Sequence, residues 1–107
     1  MDTTAHNAEI VKQIIQYYAK LLPSHGEIRL DTVFDDQQNR YALMQTGWDR
    51  GRRIRGNLIY VTLEADRIYI EYDGMESGII QDLIAKGIER EQIVLSYLPE
   101  TEVAITT

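Results

Sequence analysis

The stretch LIYVTLEADRIYIEY, residues 58–72, decides the fold because apolar and polar residues alternate along it on both sides of a short break. Alternation with a period of two is typical of β-strands that place one face in a core. Ala65 and Asp66 suit the two-residue turn of a hairpin. We therefore predict two antiparallel strands, Ile54–Glu64 and Arg67–Tyr72, whose inward side chains come from alternate positions. These side chains are Ile59, Val61, Leu63, Ile68, Ile70 and Tyr72.

Two further strands precede this hairpin. The first begins at Ile28 with the same alternation, and the polar stretch Asp35–Asn39 separates it from the second, Arg40–Trp48. Apolar side chains lie on both faces of Arg40–Trp48, which predicts a position inside the sheet. A charged turn that contains a glycine, Asp49–Arg53, then leads into the strand that begins at Ile54.

A helix precedes the strands. Between Ala5 and Leu22, apolar residues recur at spacings of three, four and seven, which is one stripe of an amphipathic helix. Thr3 or Thr4 can cap its start, and Pro23 ends it because the residue before a proline avoids helical angles. The stripe consists of Ile10, Val11, Ile14, Ile15, Tyr18, Leu21 and Leu22.

A second helix and a fifth strand follow the hairpin. Apolar spacing predicts a helix over Ile79–Lys86, and Gly87 suits the left-handed position that ends many helices, with Ile88 as its apolar follower. The apolar run Ile93–Tyr97 predicts the strand. The last residues, Glu100–Thr107, show no clear period and form a tail.

Together these elements predict an α+β domain of two layers. Its sheet is mostly antiparallel with about five strands, in the chain order α-β-β-β-β-α-β, and the two helices cover its apolar face. The length of 107 residues suits a single domain with one core, residues 1–107.

Composition excludes several classes of function. The chain has no cysteine, which excludes disulfides, thiolate zinc sites and a cysteine nucleophile, and which favours a cytoplasmic location. No apolar stretch approaches the ~18 residues of a membrane span, so we expect no membrane contact. The net charge of −6 repels phosphate backbones, and nucleic-acid binding would need a local positive patch.

The sequence contains no recognisable catalytic constellation. The two histidines, His6 and His25, have no second metal ligand or carboxylate at a suitable spacing, and we interpret them as surface residues. The carboxylates cluster in turns and at helix starts, where turn propensity and the helix dipole explain them. We therefore predict a protein that is not an enzyme and that binds no cofactor and no metal. A carboxylate site at Asp73 and Glu76 is the remaining enzymatic hypothesis.

One segment is unusual, because four of the eleven basic residues lie within six positions beside the only tryptophan. In the functional interpretation it is a partner-binding edge, since guanidinium groups grip carboxylates or phosphates and tryptophan is a common interface anchor. An acidic protein partner then fits better than DNA. In the structural interpretation Trp48 fills the core, and Arg52 and Arg53 are solvated turn residues. Arg55 then pairs with a cross-strand carboxylate such as Glu71. The candidate partner-binding residues are Trp48, Arg50, Arg52, Arg53 and Arg55.

Several short stretches, taken in order, carry a resemblance to a known family. They are Thr32–Asp35, Arg40–Met44, Gly47–Trp48, Gly51–Ile54 with Gly56, Arg67–Ile70, Asp73–Gly74 before Glu76, and Gly87–Ile88 leading to Ile93–Leu95. In this order and spacing, from the first helix to about Glu100, the sequence resembles the XisI family, the controlling factors for excision of the fdxN element in filamentous cyanobacteria.

The resemblance implies a regulatory or accessory factor in a DNA rearrangement. It implies an α+β domain that acts with a companion protein, XisH, while a separate recombinase carries out the excision. Our hypothesis is therefore a non-enzymatic factor that binds an XisH-like partner through the segment around Trp48. The alternative is a regulator that binds DNA directly through Arg50–Arg55. Homo-oligomerisation is a further hypothesis, because the edge strands of a small sheet need cover.

Overall fold

The computed structural model describes residues 3–21, 27–75 and 78–98, and in them five strands form one sheet. The sheet order is β1-β2-β3-β4-β5, with antiparallel pairs throughout except that β5 runs parallel to β4. This confirms the predicted mostly antiparallel α+β class. The elements are α1 (Thr3–Leu21), β1 (Glu27–Asp35), β2 (Arg40–Asp49), β3 (Arg52–Glu64), β4 (Arg67–Asp73), α2 (Ile80–Ala85), a 3-10 turn (Arg90–Gln92) and β5 (Ile93–Leu95).

The first helix presents its apolar stripe to the sheet. Five of the seven predicted stripe residues are buried, Leu21 is 56% exposed at the last turn, and Leu22 lies outside the described residues. Thr3 and Thr4 lie within α1 rather than before it, so the predicted cap is wrong. The Thr4 hydroxyl instead donates to the carbonyl of Ala65. Pro23 also lies outside the described residues. No helix among the described residues is long and apolar enough to span a membrane.

The turn between β3 and β4 holds the start of α1. Ala65 has a φ of 56°, and its carbonyl accepts the Thr4 hydroxyl at 2.7 Å. The next carbonyl, that of Asp66, accepts the side-chain amide of Asn7 at 3.4 Å and that of Gln92 at 2.9 Å. The predicted two-residue turn is therefore confirmed, and it also serves as a polar anchor for two other parts of the chain.

The helix-facing side of the sheet is apolar and closed between β2 and β4. Residues opposite each other on neighbouring strands share a face, and here they form one continuous surface with the stripe of α1 and with Leu83 of α2. None of its strand residues is more than 5% exposed: they are Tyr41, Leu43, Ile59, Val61, Leu63, Ile68 and Ile70.

Tyr72 is the one predicted inward residue of this hairpin that points the other way. Tyr60 pairs with Tyr72, but Val61 pairs with Ile70, so Glu71 is an extra residue in β4. Such a bulge interrupts the alternation of side chains between the two faces. Tyr72 is consequently 47% exposed on the outer face, which is our name for the face of the sheet away from the helices.

The second helix ends as predicted. Gly87 has a φ of 97° and donates its N–H to the carbonyl of Ile84, while Ile88 donates to Leu83 and is itself buried. This hydrogen-bond pair is the Schellman motif, which needs a residue free to adopt a left-handed conformation. The chain then enters β5, which is shorter than predicted and ends at Leu95.

The fully buried apolar residues span only part of the sheet, and Leu30 packs at their edge. Strand β4 ends at Asp73, opposite Ile59, while β1, β2 and β3 continue together past that point. We call this continuation, residues 27–31 and 44–57, the arm, and the rest of the sheet the covered half. Gly47 is the only buried residue of the arm. The predicted interior position of β2 is confirmed, because β2 pairs with a strand on each side.

Candidate protein-binding site

The tip of the arm is a tight hairpin between β2 and β3. The strands close at the pair Asp49 and Arg52, and the turn residues Arg50 and Gly51 both have positive φ, 52° and 79°. Two successive residues with positive φ are the mark of the turn that best matches the right-handed twist of a hairpin. The turn is thus shorter than the predicted Asp49–Arg53, and Arg52 and Arg53 belong to β3 rather than to a solvated loop.

Trp48 and Arg53 form the centre of the site. They lie opposite each other across β2 and β3, and the guanidinium carbon of Arg53 is 5.4 Å from the centre of the Trp48 ring. One Nη atom of Arg53 also donates to the carbonyl of Gly47 at 3.5 Å. Trp48 is 49% exposed, so the structural interpretation in which it fills the core is wrong. The stacked guanidinium holds the ring in place at the surface.

Arg55 and Arg29 extend the site along the outer face. Both lie opposite Thr46, one on β3 and one on β1, and Thr46 is two residues from Trp48 and therefore shares its face. Arg29 donates to both carboxylate oxygens of Asp31 on its own strand, at 3.2 and 3.0 Å. Arg29 did not enter the sequence prediction, because only the register of β1 against β2 places it beside the other arginines.

The structure does not bring all five predicted residues together. Trp48, Arg53 and Arg55 share the outer face, while Arg52 alternates to the opposite face and Arg50 lies in the turn. We call the first three, with Arg29, the arginine–tryptophan face. The proposed pair of Arg55 with Glu71 is wrong, because β4 ends before it reaches Arg55, and Glu71 instead accepts the hydroxyl of Thr62 at 3.0 Å.

The charge of the arm differs in sign from that of the whole chain. The arm contains five arginines and three carboxylates, whereas the chain has a net charge of −6. Over the described residues, the only arm arginine within 4 Å of a carboxylate is Arg29. The other four guanidinium groups keep donors that a carboxylate or a phosphate could use.

A second polar cluster lies at the opposite end of the sheet and was not predicted. The Lys12 ammonium is 2.9 Å from one oxygen of Asp36, and the buried Tyr41 donates its hydroxyl to the other at 2.8 Å. The Lys12 and Tyr41 hydrogen bonds lower the pKa of Asp36, whereas burial and the Asp36 carboxylate raise the pKa of Tyr41. The cluster borders an open cleft of about 330 Å³ between α1 and the β1–β2 turn. Sequence spacing gives no sign of it, since its members are 24 and 5 residues apart.

The remaining candidates for chemistry have structural partners. The Asp73 carboxylate accepts the backbone N–H groups of Met75 and Ile79, at 3.0 and 2.8 Å, and so shapes the connection to α2. Its proposed catalytic partner Glu76 lies outside the described residues, as does His25. His6 is exposed on α1. The described residues contain no cluster of three or more acidic or histidine side chains that could hold a metal ion.

Comparison with known families decides the relationship. The family model whose description is "XisI protein" matches residues 1–107, the whole chain. The chain belongs to the XisI family. The resemblance carried by the short stretches around the arm and the β3–β4 hairpin is thereby confirmed.

Solved structures agree with this XisI-family assignment. A XisI-like protein from Anabaena variabilis ATCC 29413 shares 22% identity with this chain, with a TM-score of 0.90 over 95% of this chain and 94% of that one. The fdxN element excision controlling factor XisI from the same organism shares 26% identity, with a TM-score of 0.77 over 94% of this chain and 98% of that one. No curated protein is similar to the chain in sequence.

Proposed function

We propose that this XisI-family chain is a non-enzymatic accessory factor in the excision of an fdxN-type DNA element, and that it acts by binding an XisH-like partner protein. Support for the excision role comes from the family match and from the related Anabaena structure described as an excision controlling factor. Support for a protein-binding mode comes from the arm. The contact is made through the arginine–tryptophan face.

The observation that carries the proposal is the exposed pair of Trp48 and Arg53. Trp48 is 49% exposed and leaves much of its apolar surface in water. Its burial therefore contributes little to folding, and folding alone does not explain a tryptophan at this position. Trp and Arg are also the side chains most enriched among the residues that dominate binding energies. Because Arg55 adds a positive charge on the same face that has no carboxylate within 4 Å among the described residues, the matching partner surface is acidic.

Co-purification tests this proposal. An XisH-like protein, chosen from a reading frame beside the gene for this chain, is co-expressed with it and the affinity is measured by titration calorimetry. We expect a complex at micromolar concentrations, and at least about a tenfold weaker one for Trp48→Ala, since such anchors contribute about 2 kcal/mol or more. Tyr17→Ala is the matched control, because Tyr17 is 58% exposed but lies on α1. Absence of a complex, or equal losses for both variants, would contradict the proposal.

Direct DNA binding is the second candidate function, and the arginines of the arm favour it. The arm carries arginines on both faces and in its turn, and guanidinium groups bind phosphates. The acidic remainder of the chain opposes such binding. Binding of this kind would weaken steeply with salt. A gel-shift series with duplex DNA tests it, and no shift at low ionic strength would dispose of it.

A further inference from the structure

The edge of β3 is open along the arm. In the covered half β3 has β2 on one side and β4 on the other, but β4 stops opposite Ile59. From Arg52 to Asn57, the described part of the chain supplies a paired strand on the β2 side only. An unpaired strand edge is a template for another strand, because its backbone N–H and C=O groups lack partners.

The hairpin register shows which groups are open. In an antiparallel ladder, residues that exchange hydrogen bonds alternate with residues whose N–H and C=O point away. The tip closes at Asp49 and Arg52, so the bonded residues of β3 alternate from Arg52. Arg53, Arg55 and Asn57 therefore direct their backbone groups to the open edge. The open edge of β3 ends after Asn57, because the carbonyl of the next residue, Leu58, accepts the N–H of Gly74 at 2.7 Å.

The two edges of the arm differ in charge. The β3 edge carries Arg53 and Arg55 beside Arg52, whereas the outer edge of β1 carries the carboxylates of Glu27 and Asp31 on either side of Arg29. Two β3 edges would bring arginines against arginines, which disfavours a symmetric pair of chains. An edge lined by arginines fits a strand that carries acidic side chains.

We propose that the open β3 edge, Arg52–Asn57, accepts an extended acidic segment of the partner protein as an added strand. This inference rests on the proposed function and names the way in which the partner binds. The backbone groups of Arg53, Arg55 and Asn57 supply the affinity by pairing, and the guanidinium groups supply the preference for glutamate or aspartate. The strand lies next to the arginine–tryptophan face, so one partner can use both.

Amide hydrogen exchange by NMR tests the pairing without any mutation. The full chain is mixed with a capped peptide of alternating glutamate and valine, or with a matched peptide of alternating lysine and valine. We expect at least about tenfold slower exchange of the Arg53, Arg55 and Asn57 amides with the acidic peptide alone. The Ile54 and Gly56 amides, which already face β2, should not change. No selective protection, or protection that appears without peptide as the protein concentration rises, would overturn the proposal.

A pair of variants at Arg55 distinguishes the contribution of backbone pairing at the edge from that of the guanidinium group. Arg55→Ala and Arg55→Pro both remove the guanidinium group, but only Arg55→Pro removes an N–H that faces the open edge. We expect both to fold, as checked by thermal melting, and Arg55→Pro to bind the acidic peptide and the XisH-like partner at least about tenfold more weakly than Arg55→Ala. Equal affinities of the two variants would overturn the added strand.

The outcomes distinguish this inference from the proposed function. If the XisH-like protein fails to bind while the acidic peptide protects Arg53, Arg55 and Asn57, the proposed function is wrong and the edge site stands. If the XisH-like protein binds and these amides exchange as fast as before, the proposed function stands and the edge site is wrong.

Discussion

The two ends of β3 lie in opposite environments. In the covered half, Ile59 and Val61 are fully buried under the helices, whereas Arg53 and Arg55 in the arm are exposed on a part of β3 that, among the described residues, pairs with β2 alone. The apolar side chains of the covered half are explained by the free energy that their burial contributes to folding. The surface of the arm has no such explanation. The contrast teaches that a strand can be structural over one half and available for binding over the other.

The largest expected effect tests whether the two halves differ in packing. Ile59→Ala leaves a cavity in the buried core, and we expect it to lower the free energy of unfolding by about 2–5 kcal/mol. Ile54→Ala is the matched change in the arm, where the side chain is only half-buried, and we expect a loss below about 1 kcal/mol. Urea denaturation of both variants measures the difference. Equal losses would mean that the arm is packed as tightly as the core.

A smaller effect tests what holds the arm together. A Cβ at Gly47 would lie 1.9 Å from the carbonyl oxygen of Glu27, so Gly47→Ala must push β1 away from β2. We expect a loss of about 1–3 kcal/mol, with faster amide exchange in the first residues of β1 and unchanged exchange in β4.

Gly51→Ala is the control for this change, because Gly51 also has positive φ, 79°, but nothing within 4 Å of its Cβ position. It should weaken the turn without separating β1 from β2. If Gly51→Ala accelerated amide exchange at the start of β1 as much as Gly47→Ala, the close approach of β1 and β2 at Gly47 would not be the cause of the faster exchange.

The smallest effect concerns pH and the cluster at the covered end. The folded chain holds the pKa of Asp36 low, so its stability falls as the pH drops through that lowered pKa. The pKa of Tyr41 is raised, so stability falls again as the pH rises above about 10, where the unfolded chain loses the proton first. We expect Lys12→Met to flatten the acid limb and Tyr41→Phe the alkaline limb in thermal melts.

Variants in this cluster also test whether a change in folding stability affects partner binding. Lys12→Met and Tyr41→Phe change residues far along the sheet from Trp48, so partner binding at neutral pH should stay as it is. An alkaline limb of the same steepness in Tyr41→Phe would show that another group causes it.

Much of the fold could be predicted because it depends on local pattern. The alternation in residues 59–70, the stripe of α1 and the glycine at 87 each indicate a single element or its end, and the structure has all three. Tyr72 was predicted on the wrong face because a bulge depends on how two strands pair, and Glu71 has no local feature that marks it as the extra residue.

The candidate site was predictable only as a segment. A run of arginines beside a tryptophan is visible in the sequence, but the sharing of one face by Trp48, Arg53 and Arg55 depends on a turn of two residues, Arg50 and Gly51. Arg29 comes from another strand, and the edge of β3 that no described strand pairs with arises because β4 ends early. No local sequence pattern predicts the position of Arg29 or the unpaired edge of β3, because both depend on which strands pair and on how long they are.

The contacts between α1 and the β3–β4 turn join a helix to residues that are synthesised after it. The carbonyls of Ala65 and Asp66 that hold Thr4 and Asn7 are made 61 and 59 residues after those side chains. When α1 leaves the ribosome, neither its polar anchor nor the sheet beneath its apolar stripe exists yet. The helix therefore appears before the hairpin and must wait for it before it can dock, and during that interval a chaperone would meet its exposed apolar stripe.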